Sequence, residues 1–313
     1  MMWCNRPEFD RNAWFTTDSS VRGGFDWDDF CEMELPVPSL EKQREIVKEY
    51  RTIIDYTKLN WRINLELKKA AEAVYRRWFV DLEFPISFKD ANAMGKPELE
   101  GQPFKSSGGD LIYNDVLERK IPSDWEDTSI QGISEKIVCG KTPLTSDPMN
   151  FGQDIPFVTI PDMHEKIYVV KTERSLSKKG AATQINKTLP ENSICVSCIA
   201  SPGIIALTSG ECQTNQQINS IICNVETSPY YAYFAVSDLC HKIKEWGMKG
   251  SVGANMNKAE FSAMKILKTP SNLQQAFHEM VEPIFKYSLK IQKQQEILFS
   301  LQQLVNARMV LGI

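Results

Sequence analysis

The sequence predicts an α+β protein, in which a mainly β domain is joined to two long antiparallel helices that form a coiled-coil spacer. Three observations predict this. No proline or glycine interrupts the chain from Ser39 to Phe79. A second segment near the end carries apolar residues at intervals of seven. Between residues 122 and 270, short β-rich runs alternate with turn residues, as they do in compact β domains.

Composition indicates a globular protein. The 313 residues have room for one large or two small domains, and 42% hydrophobic and 24% charged residues are ordinary values. We find no signal peptide and no apolar run long enough to cross a membrane. The eight cysteines are scattered, so we expect them to be reduced and the protein to be cytoplasmic. The net charge of −4 does not by itself indicate a nucleic-acid binder.

The first long helix is predicted within residues 37–84. Ser39 can cap its first turn. Its apolar stripe is formed by Ile63, Leu67, Ala70, Val74 and Trp78. A helix from residue 39 to 79 would be about 60 Å long at roughly 1.5 Å per residue. Because such a rod cannot bury its stripe against itself, it needs a partner helix.

That partner is predicted within residues 271–313. The coiled-coil seam is formed by Ile284, Ile291, Leu298 and Val305, with Tyr287 and Leu301 at intermediate positions. Pro283 lies inside the segment and is expected to kink it or to split off its first turns. The alternative is that both segments are core helices of an ordinary helical domain.

Residues 1–36 are predicted to be the remnant of a first module. Several positions recur at a constant offset, so that residue 20 matches residue 251 and residue 35 matches residue 266. The matched positions are Ser20, Val21, Asp29, Phe30, Met33 and Leu35. Each copy also ends in Pro-Ser before a long helix, after a slip of one residue. This is an internal repeat of the junction between a globular module and a helix.

Residues 85–121 are rich in proline, glycine and serine and predict a linker. Residues 122–270 predict the mainly β domain, with strands within IPFVTI, KIYVV, SICVSCIA, GIIAL and INSIICNV. A helix is expected around Tyr230 to Trp246.

Several segments together carry a family resemblance. They are AVYRRWFVDLEFP, GQPFKSSGGDLIYNDVLERKIPSDWE, CGKTP, IPFVTIPDM, SLSKKGA, LPENSICVS, TNQQIN and GSVGANMNKAEF, with PVPSLEKQREIV before them. In sequence and in order they resemble the specificity (S) subunits of type I restriction-modification systems. Each motif alone is weak, but the ordered set is specific and covers nearly all the chain.

The resemblance implies a target recognition domain at 122–270 that binds half of a split DNA site. It also implies a helical spacer that docks methyltransferase (M) subunits, with or without the restriction (R) subunit. Full-length members of the family carry two recognition domains. The chain has one whole domain, so it resembles a half-type or N-terminally truncated S subunit. A homodimer through the long helices would place two identical domains at opposite ends and favour an inverted-repeat site.

Candidate DNA-contacting residues are long polar side chains on predicted loops. Amide groups can pair with adenine, and lysine can contact guanine or phosphate. The candidates are Lys141, Thr142, Lys178, Lys179, Asn215, Gln216, Gln217, Ser251 and Asn255. The lysines at 178 and 179 belong to a stretch, residues 165–187, with six basic and two acidic side chains. The alternatives are a solvated basic face, a polar turn before a strand and a simple closing loop.

No residue set predicts catalysis, a cofactor or a metal site. The sequence has no glycine fingerprint for a methyl donor and no phosphate-binding loop. Cys195 and Cys198 have the spacing of half a zinc site, but without a second pair we expect buried thiols. The sequence thus predicts a non-catalytic subunit that binds double-stranded DNA. The alternative is a coiled-coil assembly or inhibitory subunit that binds the methyltransferase without productive DNA recognition.

Overall fold

A computed structural model describes residues 7–17, 24, 26–33, 37–249 and 256–311. The chain divides into two compact units. The first comprises Met1–Asn64 and Ile291–Ile313, and the second comprises Leu65–Lys290. Both long helices contribute to both units, so the unit boundaries fall within helices rather than at their ends.

The helices, in chain order, are α1 (Pro7–Thr16), α2 (Trp27–Glu32), α3 (Leu40–Tyr75), α4 (Phe88–Ala93), α5 (Ile160–Met163), α6 (Lys178–Ala182), α7 (Pro229–Ser237), α8 (Cys240–Lys249), α9 (Lys258–Ala263) and α10 (Ser271–Leu311). The expected helix around 230–246 is thus two helices, α7 and α8. Among the described helices, none combines the length and apolarity needed to cross a membrane.

The strands are β1 (Leu111–Asn114), β2 (Arg119–Pro122), β3 (Glu126–Ser129), β4 (Ser134–Cys139), β5 (Phe151–Gly152), β6 (Ile155–Val158), β7 (Tyr168–Val169), β8 (Arg174–Leu176), β9 (Ile194–Ser197), β10 (Ile205–Thr208), β11 (Gln213–Thr214), β12 (Ile218–Cys223) and β13 (Lys265–Lys268). All lie in the second unit. A five-stranded sheet has the order β4-β12-β9-β10-β7, and a four-stranded sheet has the order β11-β6-β8-β5. The pairs β1-β2 and β3-β13 complete the mainly β domain.

The segment predicted as a linker, residues 85–121, is folded. It contains α4, a short 3₁₀ turn, β1 and most of β2. Its hairpin pairs Leu111 with Pro122 and Asn114 with Arg119. Short strands of four residues give too brief a periodicity to be recognised among the surrounding glycines and prolines.

Aromatic side chains form the main core of the second unit. Phe277 of α10 is fully buried, and its ring lies 5.2 Å from that of Phe79 and 6.0 Å from that of Trp78. Phe79 in turn contacts Tyr231 of α7, with ring centroids 4.8 Å apart. These rings pack α7 of the β domain against both long helices. The domain and this part of the helices therefore share one close-packed core.

The stripe predicted for α3 is shifted by one residue in its centre. Trp78 is buried and Leu67 is half-buried, but Ala70 is exposed and Ala71 is buried in its place. The inward steps therefore follow a spacing of four and three residues, from 67 to 71, 74 and 78, which is the period of a coiled coil. After Tyr75 the helix continues as a π-helical turn, Arg76–Val80, and does not reach residue 84.

In α10 the predicted row Ile291, Leu298 and Val305 is buried and Ile284 is half-buried. Tyr287 and Leu301 were wrongly placed in the seam, because both are exposed. The second inward row lies one residue further along the chain and is largely polar. Its members are Val281, Ser288, Gln295 and Gln302.

The expected break at Pro283 is absent, since α10 runs continuously through it. Proline removes the donor to the carbonyl four residues earlier, which belongs to Glu279. Both residues are exposed. Water can therefore solvate that carbonyl, and the helix continues without an interruption.

The two long helices are antiparallel. In the first unit, Gln302 Nε2 of α10 donates to Tyr50 Oη of α3 over 3.2 Å. In the second unit, the ring of Phe277 lies 6.4 Å from that of Tyr75. The earlier residue of α3 thus meets the later residue of α10, as an antiparallel spacer requires.

The internal repeat has a structural counterpart at an offset of 231 residues. Helices α2 and α9 each have six residues, with N-caps at Asp26 and Asn257. Helices α3 and α10 begin at Leu40 and Ser271, which differ by the same 231. The Gln43 side chain donates to Pro38 O, and the equivalent Gln274 side chain donates to Thr269 O.

Candidate nucleic-acid interface

The loop that follows β4 is tied to the turn between β11 and β12. The backbone N–H of Gly140 donates to Ile218 O over 3.1 Å, and that of Lys141 donates to Thr214 O over 2.9 Å. A Cβ at Gly140 would lie 2.1 Å from the Asn215 carbonyl oxygen, so only glycine permits this approach. Lys141 and the turn residues are consequently held side by side.

The amides of the turn have different roles. Asn215 is half-buried, and its side chain donates to Gln217 Oε1 and accepts from Gln217 N. These two bonds support the turn itself, as the alternative interpretation of this stretch expected. Gln216, between them, is exposed. It is therefore the amide of the turn that is best placed to contact a ligand.

Thr142 orients the exposed amide. Its hydroxyl donates to Gln216 Oε1 over 2.6 Å. The carbonyl end of Gln216 is thereby fixed, and its NH₂ group points away from that bond with two donors. This arrangement presents a directional hydrogen-bonding group on a surface that also carries the exposed ammonium of Lys141.

Helix α6 brings Lys178 and Lys179 to the same region. Both are exposed. Lys179 Nζ donates to Asp147 Oδ2 over 3.0 Å, and Asp147 belongs to the loop that begins at Gly140. This bond, with a second from the Met149 N–H, lowers the pKa of Asp147 below its ordinary value. Lys179 is thus partly neutralised. Lys178, in contrast, donates only its backbone N–H to Asp154 Oδ2, over 3.1 Å, and its ammonium pairs with no carboxylate among the described residues.

The loop between residues 141 and 150 is cross-linked by its own hydrogen bonds. The buried Asn150 side chain donates to Leu144 O over 3.0 Å, and its backbone N–H donates to Asp147 O. The loop nevertheless exposes the apolar side chains of Leu144 and Met149. Sequence analysis did not single out these two residues, because nothing in the local pattern marks an exposed leucine or methionine.

Two candidates, Ser251 and Asn255, lie outside the described residues. The next residue, Met256, is described and buried. Its backbone N–H donates to Cys198 O over 3.3 Å, and the Cys198 N–H donates to Gln217 O over 2.9 Å. Met256 is therefore held beside the turn.

Two buried glutamines beneath this surface are not marked by the sequence analysis. Gln184 and Gln213 are 3% and 0% exposed. Gln184 Nε2 donates to Lys141 O over 2.7 Å and to Gln213 Oε1 over 2.8 Å. Gln213 Nε2 donates to Ala181 O of α6 over 3.1 Å. Gln213 is a polar residue on the short strand β11, whereas Gln184 lies between α6 and a 3₁₀ turn, where a glutamine is unremarkable.

The described residues contain no group of three metal-binding side chains. Burial raises the pKa of both Cys195 and Cys198 to about 11, so both are protonated at neutral pH. His164 and His241 are exposed, and His278 stacks on Tyr230 with centroids 4.8 Å apart. The two cysteines are thus packed in the interior, His278 is half-buried, and His164 and His241 lie on the surface. The polar loops, in contrast, are joined by hydrogen bonds at one surface.

The fold and this surface define a class of α+β proteins in which a mainly β domain presents polar loops and is packed on a pair of long antiparallel helices. The family model for the type I restriction modification DNA specificity domain matches residues 122–301. Because the match covers more than half of the chain, the chain belongs to this family.

Individual relatives agree with the family. The chain is 29% identical over 323 aligned residues to the type I restriction enzyme HindI specificity subunit of Haemophilus influenzae, covering 91% of the chain and 70% of the relative. It is 22% identical to the type I restriction enzyme MjaIX specificity subunit of Methanocaldococcus jannaschii, covering 90% and 60%. The crystal structure of a type I restriction-modification S subunit from M. genitalium matches with a TM-score of 0.55 at 12% identity, covering 94% and 68%. That likeness concerns the fold.

Proposed function

We propose that the chain is a sequence-specific DNA-binding specificity subunit that directs type I methyltransferase and restriction subunits to a target site and performs no chemistry itself. One observation carries the proposal. The loop of Lys141 and Thr142, the turn of Gln216 and the basic helix α6 are joined by hydrogen bonds into one surface. Lysines attract the phosphate backbone, and an oriented amide discriminates between base edges.

The test begins with the methylated adenines in DNA from cells that carry this chain and its methyltransferase. The motif found there supplies a duplex, and a second duplex carries the same bases in scrambled order. The complex of chain and methyltransferase should bind the first at least about 10³-fold more tightly at physiological salt. Equal affinity for the two duplexes, at all salt concentrations, would contradict the proposal.

A second candidate function is supported by exposed apolar side chains on the helices of the first unit, among them Trp61, Ile297 and Leu304. An uncovered apolar face of this kind is typical of protein interfaces. In this candidate the chain is an assembly or inhibitory subunit that binds the methyltransferase without productive DNA recognition. It predicts that the methyltransferase co-purifies but that the pair does not distinguish the two duplexes.

We also propose that residues 1–36 end a first recognition domain, and that the start of α3 is the seat for such a domain. In the second unit, Ser228 N at the start of α7 donates to Gln274 Oε1, and Tyr230 stacks on Phe285 at 4.2 Å. The residues equivalent to this seat are Leu40, Gln43, Val47 and Ile54. The first three of them line a groove of about 480 Å³. Leu40 is 69% exposed, so the equivalent face is open.

Duplicating residues 109–256 in front of Asp26 tests this seat. The added domain should slow amide hydrogen exchange across residues 40–54, and Gln43→Ala should weaken the protection. Placing the same duplicate after residue 313 is the control. Unchanged exchange at 40–54 with the duplicate in front would contradict the proposal.

A further inference from the structure

We propose that Gln184 and Gln213 are positioning residues that determine base specificity from beneath the DNA-contacting surface, without touching DNA. This inference rests on the proposed function. Both side chains are buried and are bonded to each other. Gln184 also hydrogen-bonds to the loop at Lys141 and Gln213 to helix α6 at Ala181, and Gln213 itself lies on the strand that leads into the turn.

The first link fixes the Lys141 main chain. Its N–H donates to Thr214 O, and its C=O accepts from Gln184 Nε2 over 2.7 Å. Both polar groups of this residue are thus bonded, one to the turn side and one to the buried amide. The backbone direction of the loop, and with it the position of the Thr142 hydroxyl that orients Gln216, depends on the second bond.

The second link joins helix α6 to the turn. Gln213 lies on β11, directly before the turn, and its Nε2 donates to Ala181 O over 3.1 Å and to Thr188 Oγ1 over 2.9 Å. Its Oε1 accepts from Gln184 Nε2 over 2.8 Å. One pair of amides therefore sets the distances between the loop, the turn and the helix that carries Lys178.

Specificity should depend on this pair more strongly than affinity does. A base hydrogen bond needs a donor and acceptor within about 2.7–3.2 Å and good alignment, so a small displacement removes it. The attraction between a lysine and a phosphate extends over a Debye length of about 8 Å at physiological salt, so the same displacement changes it little. Releasing the loop should thus remove discrimination and leave non-specific binding intact.

Gln184→Met tests the inference, since methionine matches glutamine in length but cannot donate. Gln131→Met, at an exposed position, is the matched control. In complex with the methyltransferase, Gln184→Met should reduce the ratio of affinities for motif and scrambled duplexes at least about tenfold, which is within the discrimination that one base contact supplies. Affinity for the scrambled duplex should stay within about twofold, because the lysines are unchanged. Amide exchange at residues 141–144 should accelerate.

The outcomes separate the two proposals. If the unmodified complex does not distinguish the duplexes, the proposed function fails. If it does, and Gln184→Met retains the ratio or weakens both duplexes equally, the inference about the buried pair is overturned. If Gln184→Met does not fold, Thr188→Val is the variant to use instead. It removes one hydrogen-bond acceptor of Gln213 with little change in side-chain shape. It should reduce the same ratio, and an unchanged ratio would overturn the inference.

Discussion

Replacing Gln216 by alanine should remove base discrimination and leave the fold intact. The side chain is exposed, so the change should alter the free energy of unfolding by no more than about 0.5 kcal/mol. A bidentate contact between an amide and a base contributes about 1–3 kcal/mol of discrimination. One lone pair of Gln216 Oε1 already accepts from Thr142, so we expect the lower part of this range, about 1–2 kcal/mol, or roughly 5- to 30-fold in relative affinity.

Thr142→Val is the companion perturbation, because valine keeps the shape of threonine and lacks the hydroxyl. It leaves the Gln216 amide in place but unoriented. The loss should be that of one hydrogen bond, about 0.5–1.5 kcal/mol, or roughly 2- to 12-fold. Since the two side chains act through one bond, the double variant should lose less discrimination than the sum of the single losses.

Fluorescence anisotropy measures this directly, with the methyltransferase complex titrated into labelled duplexes that carry the mapped motif or its scrambled version. The affinity for the scrambled duplex should be nearly equal in all four proteins. The reasoning is refuted if Gln216→Ala weakens binding to both duplexes alike. It is also refuted if the effects of the two substitutions are strictly additive.

Three further predictions follow from the same geometry. Lys178→Ala should reduce the slope of log affinity against log salt by about 0.9, whereas Lys179→Ala should reduce it less because that ammonium is already paired with a carboxylate; equal slopes in salt titrations would contradict this. Gly140→Ala should destabilise the protein by about 1–3 kcal/mol in urea denaturation, since the new Cβ meets backbone atoms that must move. An unchanged free energy of unfolding would contradict the close contact between this loop and the turn. Phe277→Ala should cost about 3–5 kcal/mol in the same assay, against about 0.5 kcal/mol or less for the exposed Ile297→Ala on the same helix; similar losses for both would contradict the aromatic core.

Much of the architecture was predictable because it depends on repetition. A long segment without proline or glycine and a sevenfold apolar spacing identify helices that must pair, and the structure confirms them as α3 and α10. The details of the seam were less accessible. Its second row in α10 includes Ser288 and Gln302, which a search for apolar residues passes over. Tyr287 was preferred because it is apolar, although the helix turns it towards solvent.

The sequence predicts which residues form the candidate surface, but it does not predict which of them support the turn and which are free to contact a ligand. The sequence predicts Lys141, Gln216 and Lys178 as polar residues on loops, although Lys178 lies on helix α6. Hydrogen bonds bring the three elements together. Which amide supports the turn and which is exposed depends on side-chain partners distant in sequence. The Thr142 bond to Gln216 spans 74 positions, and the bond from Gln184 to Lys141 spans 43. No local pattern encodes such contacts.

The open face at the start of α3 limits how the chain can assemble. Its apolar stripe consists of Leu40, Val47, Ile54 and Trp61, again at intervals of seven. In the second unit the residue equivalent to Ile54 is Phe285, and its ring is stacked on Tyr230 of α7. A second recognition domain and the homodimer through the long helices would therefore compete for one surface. Because a dimer forms by mass action, dilution should accelerate amide hydrogen exchange at residues 40–54 in a homodimer, whereas an attached domain would protect these residues at every concentration.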